Sequence, residues 1–314
     1  MEDEVGRAAR AERIGTLAAF GAYGSWGLYP LYWKALSGVE SLQILAHRIV
    51  WCVGFAVLLL VARKRLGALG ALFKDGRRAL AVAVGAVLIT INWGIYIWAV
   101  NTGHVAESSL GYYINPLLSV ALGALIFKER LDRWTIVAVA VAALGIVAAS
   151  ILLGSPPWIS LALATSFALY GSVKKKAALD PLTALAAETL LAAPFALAFI
   201  VARTAAGLSD FGGPNLLETA MLILAGPITA VPLIFFATAA NKISLTKMGF
   251  IQYLSPSTQL FLGVFVFGEK VKAPMMAAFA AVIGAVAIYA STRGLAAKGG
   301  IPRGGSEASA GEGG

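Results

Sequence analysis

The chain has 314 residues, of which 59% are hydrophobic and only 13% are charged, and its formal net charge is +9. Soluble domains carry about a quarter of their residues as charged side chains. The composition therefore excludes an ordinary water-soluble protein and indicates a protein that lies in lipid. No sequence motif would carry a basic nucleic-acid-binding face, and we expect no nucleic-acid partner. Cys52 is the single cysteine, which excludes a disulfide within the chain.

Ten apolar segments are long enough, or nearly so, to cross a bilayer as helices, for which about 20 residues are needed. In chain order they are Ile14–Trp33, Ser41–Ala62, Ala79–Val100, Ser108–Phe127, Trp134–Leu152, Pro157–Val173, Leu182–Ala202, Thr219–Ala240, Met248–Phe267 and Ala273–Thr292. Arg48 lies in the second segment and Glu188 in the seventh, and the other eight contain no charged residue. The sequence therefore predicts an all-α integral membrane protein with ten transmembrane helices.

The distribution of basic residues predicts the orientation of these helices. If the N-terminus is cytoplasmic, the cytoplasmic segments contain 20 Lys and Arg residues and the external segments contain 4. Cytoplasmic loops of membrane proteins carry this excess. We expect a multi-pass protein of the cell inner (plasma) membrane, with the lipid bilayer around it and both termini in the cytoplasm. Residues 1–13 form its N-terminal cytoplasmic segment, and residues 293–314 form a disordered, Gly-rich and Ser-rich cytoplasmic tail.

The second half of the chain repeats the first. Three pairs of identical residues share one spacing along the chain, namely Asn101 and Asn241, Pro116 and Pro256, and Glu129 and Glu269, while Ser25–Tyr29 matches Ser166–Tyr170 at nearly the same spacing. Two repeats, residues 14–152 and 153–292, then contain five helices each. Because five is odd, the second repeat enters the membrane in the opposite orientation. Inverted repeats are typical of transporters that work by alternating access.

Two charged residues occupy matching places inside these segments. A charge near the bilayer centre costs about 2.5–3.5 kcal/mol, so Arg48 and Glu188 each require a reason. Counted from opposite faces, each lies about 10 Å deep, and we therefore expect separate roles at the two ends of one central cavity rather than one salt bridge. Arg48 would bind a substrate carboxylate, and Glu188 an amine or a proton. The alternative is a structural role, either by snorkelling to the interface or by pairing with a neighbour.

Polar residues follow one face of the fourth and of the ninth segment. These faces contain Ser108, Tyr112, Asn115 and Ser119 in one repeat, and Met248, Gln252, Ser255 and Gln259 in the other. Pro116 and Pro256 are expected to break the two helices, as in many transporter sites. The alternative is that Asn115 and Gln252 only join helices by hydrogen bonds.

Aromatic residues of the first, third and sixth segments complete the candidate site, which suits an apolar or aromatic substrate. The residues that we assign to substrate binding are Trp26, Tyr29, Arg48, Asn92, Trp93, Tyr112, Asn115, Tyr170, Glu188, Gln252, Tyr253 and Gln259. We expect them to line one central cavity.

The fifth and tenth segments carry small residues at a spacing of four, a pattern that favours close helix packing. These residues are Val141, Gly145 and Ala149 in one segment, and Ala277, Ala281 and Ala285 in the other. The two faces could meet within one chain or form a homodimer.

No catalytic, metal-binding or cofactor-binding motif occurs in the sequence, and we expect no enzyme activity, no metal and no cofactor. Two alternatives to a transporter are an intramembrane enzyme that uses His47 and Glu188, and a passive channel that uses the same polar cavity.

Several motifs together resemble the RarD type of the EamA family, which belongs to the drug/metabolite transporter superfamily. They include Ala22-Tyr-Gly-Ser-Trp-Gly-Leu-Tyr-Pro30, His47-Arg-Ile-Val-Trp51, Asn92-Trp93, Glu107-Ser-Ser-Leu-Gly-Tyr-Tyr-Ile-Asn-Pro-Leu117, Glu188-Thr189 and Gln252-Tyr253. The resemblance extends from Ile14 to Ala290. It implies two EamA repeats in an inner-membrane exporter of small amphipathic metabolites or drugs. Hydrophobic or aromatic amino acids and chloramphenicol-like compounds are the expected substrates.

Overall fold

The computed structural model describes residues 2–128, 131–177, 180–240, 242–243, 247–248 and 251–298, and no β-strand occurs in these ranges. Their helices are α1 (Glu2–Ala35), α2 (Ser41–Ala62), α3 (Leu66–Lys74), α4 (Gly76–Asn101), α5 (Val105–Phe127), α6 (Arg133–Leu153), α7 (Trp158–Ala177), α8 (Pro181–Ala205), α9 (Leu216–Ala240), α10 (Leu254–Phe261) and α11 (Ala273–Lys298). The predicted all-α class is confirmed. Glu129 and Asn241, two members of the repeat pairs, lie outside the described residues.

Seven of the described helices are long and apolar enough to cross a membrane: α2, α4, α5, α6, α8, α9 and α11. Helix α1 has 34 residues and α7 has 20, and each contains more charged residues than any of these seven helices. The outer surface of the helices is apolar, as lipid requires, with Leu58, Leu144 and Phe195 all largely exposed. The layout of ten spans in two repeats remains a prediction.

The predicted ninth span differs from the structure. In place of one helix over Met248–Phe267, a turn at Gln252 and Tyr253 precedes α10, which begins at Leu254 and continues into a π-helical turn at Leu262–Val266. Proline lacks an amide hydrogen and fits the first turn of a helix, where that hydrogen has no partner. Pro256 lies in the first turn of α10 and therefore marks a helix start. The expected break at Pro116 is absent, since α5 is continuous through this residue.

Three aspartates begin helices at one end of the bundle. Asp75 accepts hydrogen bonds from the first turn of α4, Asp132 from that of α6, and Asp180 from that of α8. Each carboxylate satisfies amide groups that have no partner within the helix. An ion pair between Arg65 and Asp180, with 3.4 Å between Nη1 and Oδ1, also lies at this end. We call it the Lys174 end, because α7 ends there shortly after Lys174.

The opposite end, here the Glu269 end, is tied together by contacts between helix termini. The carboxylate of Glu269 accepts hydrogen bonds of 2.7 Å from the backbone amides of Val105 and Ala106, at the start of α5. Glu107 accepts another from the amide of Ile159, at the start of α7. Arg203 and Glu40 form an ion pair of 2.8 Å between the end of α8 and the start of α2.

The helices pack in two groups. Helices α1, α2, α4, α8 and α9 share one large hydrophobic core, which also holds part of α7, while α5, α6 and α11 form a second cluster. The small residues of α6 and α11 face each other within the chain, where a Cβ added to Gly145 would lie 2.2 Å from the Cβ of Ala281. The predicted close packing of these two faces therefore occurs inside one chain.

Candidate functional site

Arg48 lies in the interior of the first helix group. Its side chain is almost fully buried, and its guanidinium carbon lies 4.0 Å from the ring centroid of Trp93 and 5.0 Å from that of Trp33. Such cation–π contacts stabilise a desolvated cation by about 2 kcal/mol. The Nε atom donates a 2.9 Å hydrogen bond to the hydroxyl of Thr229, whose own hydroxyl donates to the carbonyl of Ala225.

The charge of Arg48 nevertheless remains incompletely satisfied. Its Nη1 atom is buried and has no hydrogen-bond partner in the described part of the chain. Tyr29, Tyr96 and Tyr112 lie within electrostatic range of the guanidinium group, and the hydroxyl of Tyr29 already donates a 2.6 Å bond to the carbonyl of Ile228. A buried donor without a partner costs about 1–3 kcal/mol, and more when the group is charged. Arg48 is therefore suited to bind an acceptor from outside the chain.

Glu188 occupies the matching place in the other half and has different surroundings. Its Oε2 atom accepts a 2.8 Å hydrogen bond from the hydroxyl of Tyr170 and lies 3.4 Å from Nζ of Lys174, which also donates to the Tyr170 hydroxyl. The other carboxylate oxygen, Oε1, faces Gly85, where an added Cβ would lie 2.8 Å away. Glu188 therefore has a cationic partner within the chain, whereas Arg48 has no anionic one among the described residues.

A row of aromatic rings joins the surroundings of Arg48 to those of Glu188. Ring centroids lie 5.6 Å apart for Tyr96 and Tyr112, 6.5 Å for Tyr112 and Phe167, and 6.0 Å for Phe167 and Tyr170. These rings belong to α4, α5 and α7. The two charged sites thus lie at opposite ends of one aromatic wall, and no ion pair links Arg48 to Glu188 in the described residues.

Three further predicted residues take part in contacts between helices. Asn92 is buried and its amide donates to the carbonyl of Leu163 and to the hydroxyl of Ser166, at 3.0 and 2.9 Å, which links α4 to α7. The buried amide of Gln259 in α10 donates a 3.2 Å bond to the carbonyl of Trp26 in α1. The ring of Trp26 contacts Tyr23 and Phe236.

The remaining predicted residues do not reach Arg48 or Glu188. Tyr253 stacks on Tyr113, with 5.9 Å between ring centroids, and belongs to the cluster around α5 and α11. Asn115 accepts a hydrogen bond from Ser119 on its own helix. Gln252 lies half-buried in the turn before α10. The two polar faces predicted for the fourth and ninth spans are therefore only partly brought to one place.

Sequence reasoning missed several residues of this site. In the sequence Lys174 is one of three consecutive lysines, and Trp33 lies at the end of an aromatic-rich span, so neither is distinguished from its neighbours. Thr229 and Tyr96 gave no signal of their own. Each of these residues lies on a different helix from the charged residue whose surroundings it forms. Contacts between helices cannot be read from the spacing of residues along a single span.

The Glu269 end closes over the Arg48 region. Phe211, in the connection between α8 and α9, stacks on the buried ring of His47 with 4.6 Å between centroids. In the orientation of its amide that satisfies both groups, Gln43 donates to Asp210 at 3.0 Å and accepts from its backbone amide at 2.8 Å. A groove of about 330 Å³ opens laterally between α1 and α9 and includes Tyr29 and Tyr32. In the described residues no cluster of His, Cys, Asp and Glu could hold a metal ion.

Comparison with known proteins identifies the family of this chain. The model of the EamA-like transporter family matches residues 13–151 and residues 156–291. The chain belongs to the EamA-like transporter family. Within this family it is 42% identical to "Protein RarD" of Streptomyces exfoliatus over 257 residues, which are 82% of each chain. It is 38% identical to "Protein RarD" of Escherichia coli K12 over 258 residues, which cover 82% of this chain and 87% of that protein.

A solved structure shows the same fold. One crystal structure superposes on this EamA-like chain with a TM-score of 0.58 and 18% identity, and the match covers 87% of this chain and 96% of that one. Family membership and the apolar helices together make this a multi-pass membrane transporter of the drug/metabolite transporter superfamily. The resemblance drawn from the sequence motifs is confirmed.

Proposed function

We propose that this protein is a secondary transporter that exports small amphipathic metabolites or drugs by alternating access. The observation that carries this proposal is the buried guanidinium group of Arg48, which lies between two indole rings and keeps an unused donor. A buried ionisable group inside a membrane protein is by default a functional group. Aromatic surfaces around a charged anchor suit hydrophobic or aromatic amino acids and chloramphenicol-like compounds.

The helix contacts support an arrangement of two inverted five-helix repeats. Helix α1 packs on α9 and α10, and its counterpart α7 packs on α4 and α5, which correspond to α9 and α10. The counterparts α2 and α8 contact each other, as do α6 and α11. Tyr113 and Tyr253, which occupy equivalent places in the two repeats, stack on each other. This reciprocal pattern is what a two-fold relation between halves produces, and it allows two equivalent packings that open to opposite sides.

The distribution of basic residues supports an orientation with both termini in the cytoplasm of a cell whose inner membrane holds the protein. The Glu269 end is then external and the Lys174 end cytoplasmic. The contacts of Phe211, Asp210 and Glu40 close the external end beside Arg48. We assign the aromatic wall between Arg48 and Glu188 to the substrate route, with Tyr29, Trp93 and Tyr112 nearest to the arginine. Asn92 and Gln259 then position the helices of this route.

Counterflow in proteoliposomes tests the proposal. The purified protein is reconstituted with unlabelled substrate inside, and uptake of labelled aromatic amino acids or chloramphenicol is compared with that of empty liposomes. Saturable counterflow of any of these compounds establishes a carrier, because neither a channel nor an enzyme produces it. Absence of counterflow for all of them would overturn the assignment of substrates.

The role of Glu188 is tested separately. If Glu188 carries a proton during transport, Glu188→Gln removes the pH dependence of counterflow while the protein remains folded. An unchanged pH profile in this variant would contradict the proton role.

A further inference from the structure

The balance of buried charge in the membrane interior points to the charge of the substrate. Among the described residues, His47, Arg48 and Glu188 are the fully buried members of the Lys, Arg, His, Asp and Glu side chains. Glu188 lies beside Lys174, whose side chain is only 19% exposed and whose ammonium group lies 3.4 Å from the carboxylate. This pair is close to neutral. The charge of Arg48 therefore remains without a counter-charge, and a proton on His47 would add to it.

The pairing of Glu188 also removes a place for a substrate amine. A zwitterion needs one cationic and one anionic group in the site, and Glu188 is the one fully buried carboxylate of the described residues. Lys174 and Tyr170 both donate to its Oε2 atom. The other oxygen, Oε1, is buried without a partner in the described residues and faces Gly85. An ammonium group that reached Oε1 would place a second cation beside a carboxylate that Lys174 already neutralises, and the excess positive charge in a low-dielectric interior is unfavourable.

Unused donors accumulate on the side of Arg48. Nη1 of Arg48, the indole Nε1 of Trp33 and the hydroxyl of Tyr96 are all buried without a hydrogen-bond partner in the described structure. Guanidinium and indole N–H groups can only donate, and a phenol hydroxyl can donate as well. Trp33 packs against the guanidinium group, and Tyr96 is buried in the same hydrophobic core as Trp33 and Trp93. Three donors around an unmatched positive charge suit an anion with more than one acceptor oxygen.

We propose that the substrate of this site is an organic monocarboxylate with an aromatic or apolar body and no amino group. Its carboxylate is bound by Arg48, with Trp33 and Tyr96 as further donors, and its body lies along the aromatic wall. This inference rests on the proposed transport function. It keeps the class of small amphipathic metabolites and replaces the amino acids named there by acids without an amino group. It favours a keto acid or aryl acid over the corresponding amino acid, because only the anion neutralises the site without leaving a second charge unpaired.

Three labelled probes with the same phenyl group separate the charge types: phenylpyruvate is an anion, phenylalanine a zwitterion and phenethylamine a cation. Chloramphenicol serves as a neutral probe. In counterflow with the wild-type protein we expect phenylpyruvate to exchange at least tenfold faster than phenylalanine, and phenethylamine not at all.

Variants of the donors test their part in recognition. Trp33→Phe and Tyr96→Phe keep an aromatic ring and remove one donor each, so we expect each to raise the KM for phenylpyruvate about tenfold. Tyr113→Phe is the matched control, since its hydroxyl contacts Ser257 away from Arg48, and it should leave this KM unchanged. An unchanged KM in both donor variants would contradict the role of Trp33 and Tyr96.

Lys174→Gln tests the explanation for the exclusion of amines. The change frees the carboxylate of Glu188, and we expect the ratio of phenylalanine to phenylpyruvate exchange to rise at least tenfold. Lys176→Gln changes an exposed lysine at the same end and should leave the ratio unaltered. Rescue of the wild-type ratio in the double variant Lys174→Gln/Glu188→Gln would tie the effect to this pair.

The outcomes distinguish failure of this inference from failure of the transport function. Preferred exchange of phenylalanine or phenethylamine by the wild-type protein overturns the monocarboxylate class. Exchange of chloramphenicol without phenylpyruvate does the same and leaves the carrier function intact. Absence of exchange for all four probes, from protein that is folded by its thermal transition in detergent, overturns both.

Discussion

Arg48 and Glu188 lie at matching positions of two similar halves, yet their surroundings have diverged. Arg48 rests on Trp33 and Trp93 and has an unused donor, while Glu188 is held by Lys174 and Tyr170. Part of the difference comes from a second pair of equivalent residues, Trp33 and Lys174. Each lies four residues after the tyrosine that ends the repeated motif, Tyr29 in one half and Tyr170 in the other. One half uses an indole where the other uses an ammonium group. The duplicated scaffold therefore carries one charge that is neutralised within the chain and one that is available to a ligand.

The largest effect that would test this contrast is expected for Arg48→Leu. Removing a charged partner of a buried carboxylate costs about 2–5 kcal/mol of binding, so we expect counterflow to fall about 100-fold. Stability should not fall, because leucine replaces a buried charge that has no anionic partner and Thr229 keeps its bond to the carbonyl of Ala225. Counterflow and the thermal midpoint in detergent measure the two effects.

Arg48→Lys is the matched control for charge. It keeps the cation but loses the planar group that stacks on the indole rings, and we expect an intermediate rate. A thermal midpoint of Arg48→Leu well below that of the wild type would show that Arg48 serves the fold, contrary to the contrast drawn here.

The second test concerns the neutralised charge. Lys174→Met leaves the carboxylate of Glu188 buried without a cation, and breaking a buried pair in this way costs about 3–5 kcal/mol. At neutral pH we therefore expect a lower thermal midpoint. Lys174→Met/Glu188→Met removes both charges and should recover most of the loss. If the double variant is no more stable than the single one, the ion pair between Lys174 and Glu188 does not stabilise the fold.

The class of protein could be predicted from the sequence, and so could the importance of Arg48 and Glu188. Length and apolar composition are properties of each span alone, and a charge in such a span stands out without any knowledge of its neighbours. The family followed from motifs that a single sequence can display.

The partners of these residues could not be predicted in the same way. Lys174 lies near the end of its helix, where a basic residue is ordinary, and only the side-chain contact from α7 to α8 makes it the counter-ion of Glu188. The ninth span shows the same limit: proline is compatible with both a kink and a helix start, and the structure has the start. Helical spacing places Gln252 on the predicted polar face, but that spacing does not hold across the turn before α10, which contains both Gln252 and Tyr253.

The third test uses two glycines at equivalent positions of the two halves, one beside Glu188 and one beside the helix that carries Arg48. Gly85 lies in α4 and Gly226 in its counterpart α9. A Cβ on Gly226 would lie 2.3 Å from the backbone carbon of Trp51 in α2, whereas one on Gly85 would lie 2.8 Å from a carboxylate oxygen of Glu188. Gly226→Ala must move a backbone and should cost about 3 kcal/mol, at the upper end for overpacked cores. Gly85→Ala moves a side chain and should cost about 1 kcal/mol, measured by thermal unfolding.

Gly85→Ala should also alter the environment of Glu188, and Glu188→Ala in the same background provides the check. Truncating Glu188 makes room for the new methyl group, so the steric cost of Gly85→Ala should disappear. An equal cost in both backgrounds would show that the methyl group collides with something other than Glu188.

The smallest effect concerns the starts of the helices that carry the two charges. Asp180 caps α8 through hydrogen bonds from Thr183, whereas Glu40 precedes α2 without forming such a cap. Loss of a capping side chain costs about 1 kcal/mol, so Asp180→Ala should lower stability more than Glu40→Ala. Partial burial alone would raise the pKa of Asp180. The hydrogen bonds from Thr183 and the charge of Arg65 outweigh that contribution and hold this pKa below its ordinary value.

The sign of the pH effect follows from this lowered pKa. A carboxyl group whose pKa is lower in the folded state stabilises the protein above its unfolded pKa of about 3.9 and loses this contribution as the pH falls through the folded pKa. The difference in thermal midpoint between the wild type and Asp180→Ala should therefore be constant near neutral pH and shrink below about pH 4. Glu40→Ala is the comparison in which a carboxylate loses a partly exposed ion pair with Arg203 but no helix cap is lost. A difference for Asp180→Ala that persists undiminished at low pH would mean that the carboxylate charge contributes nothing to the start of α8.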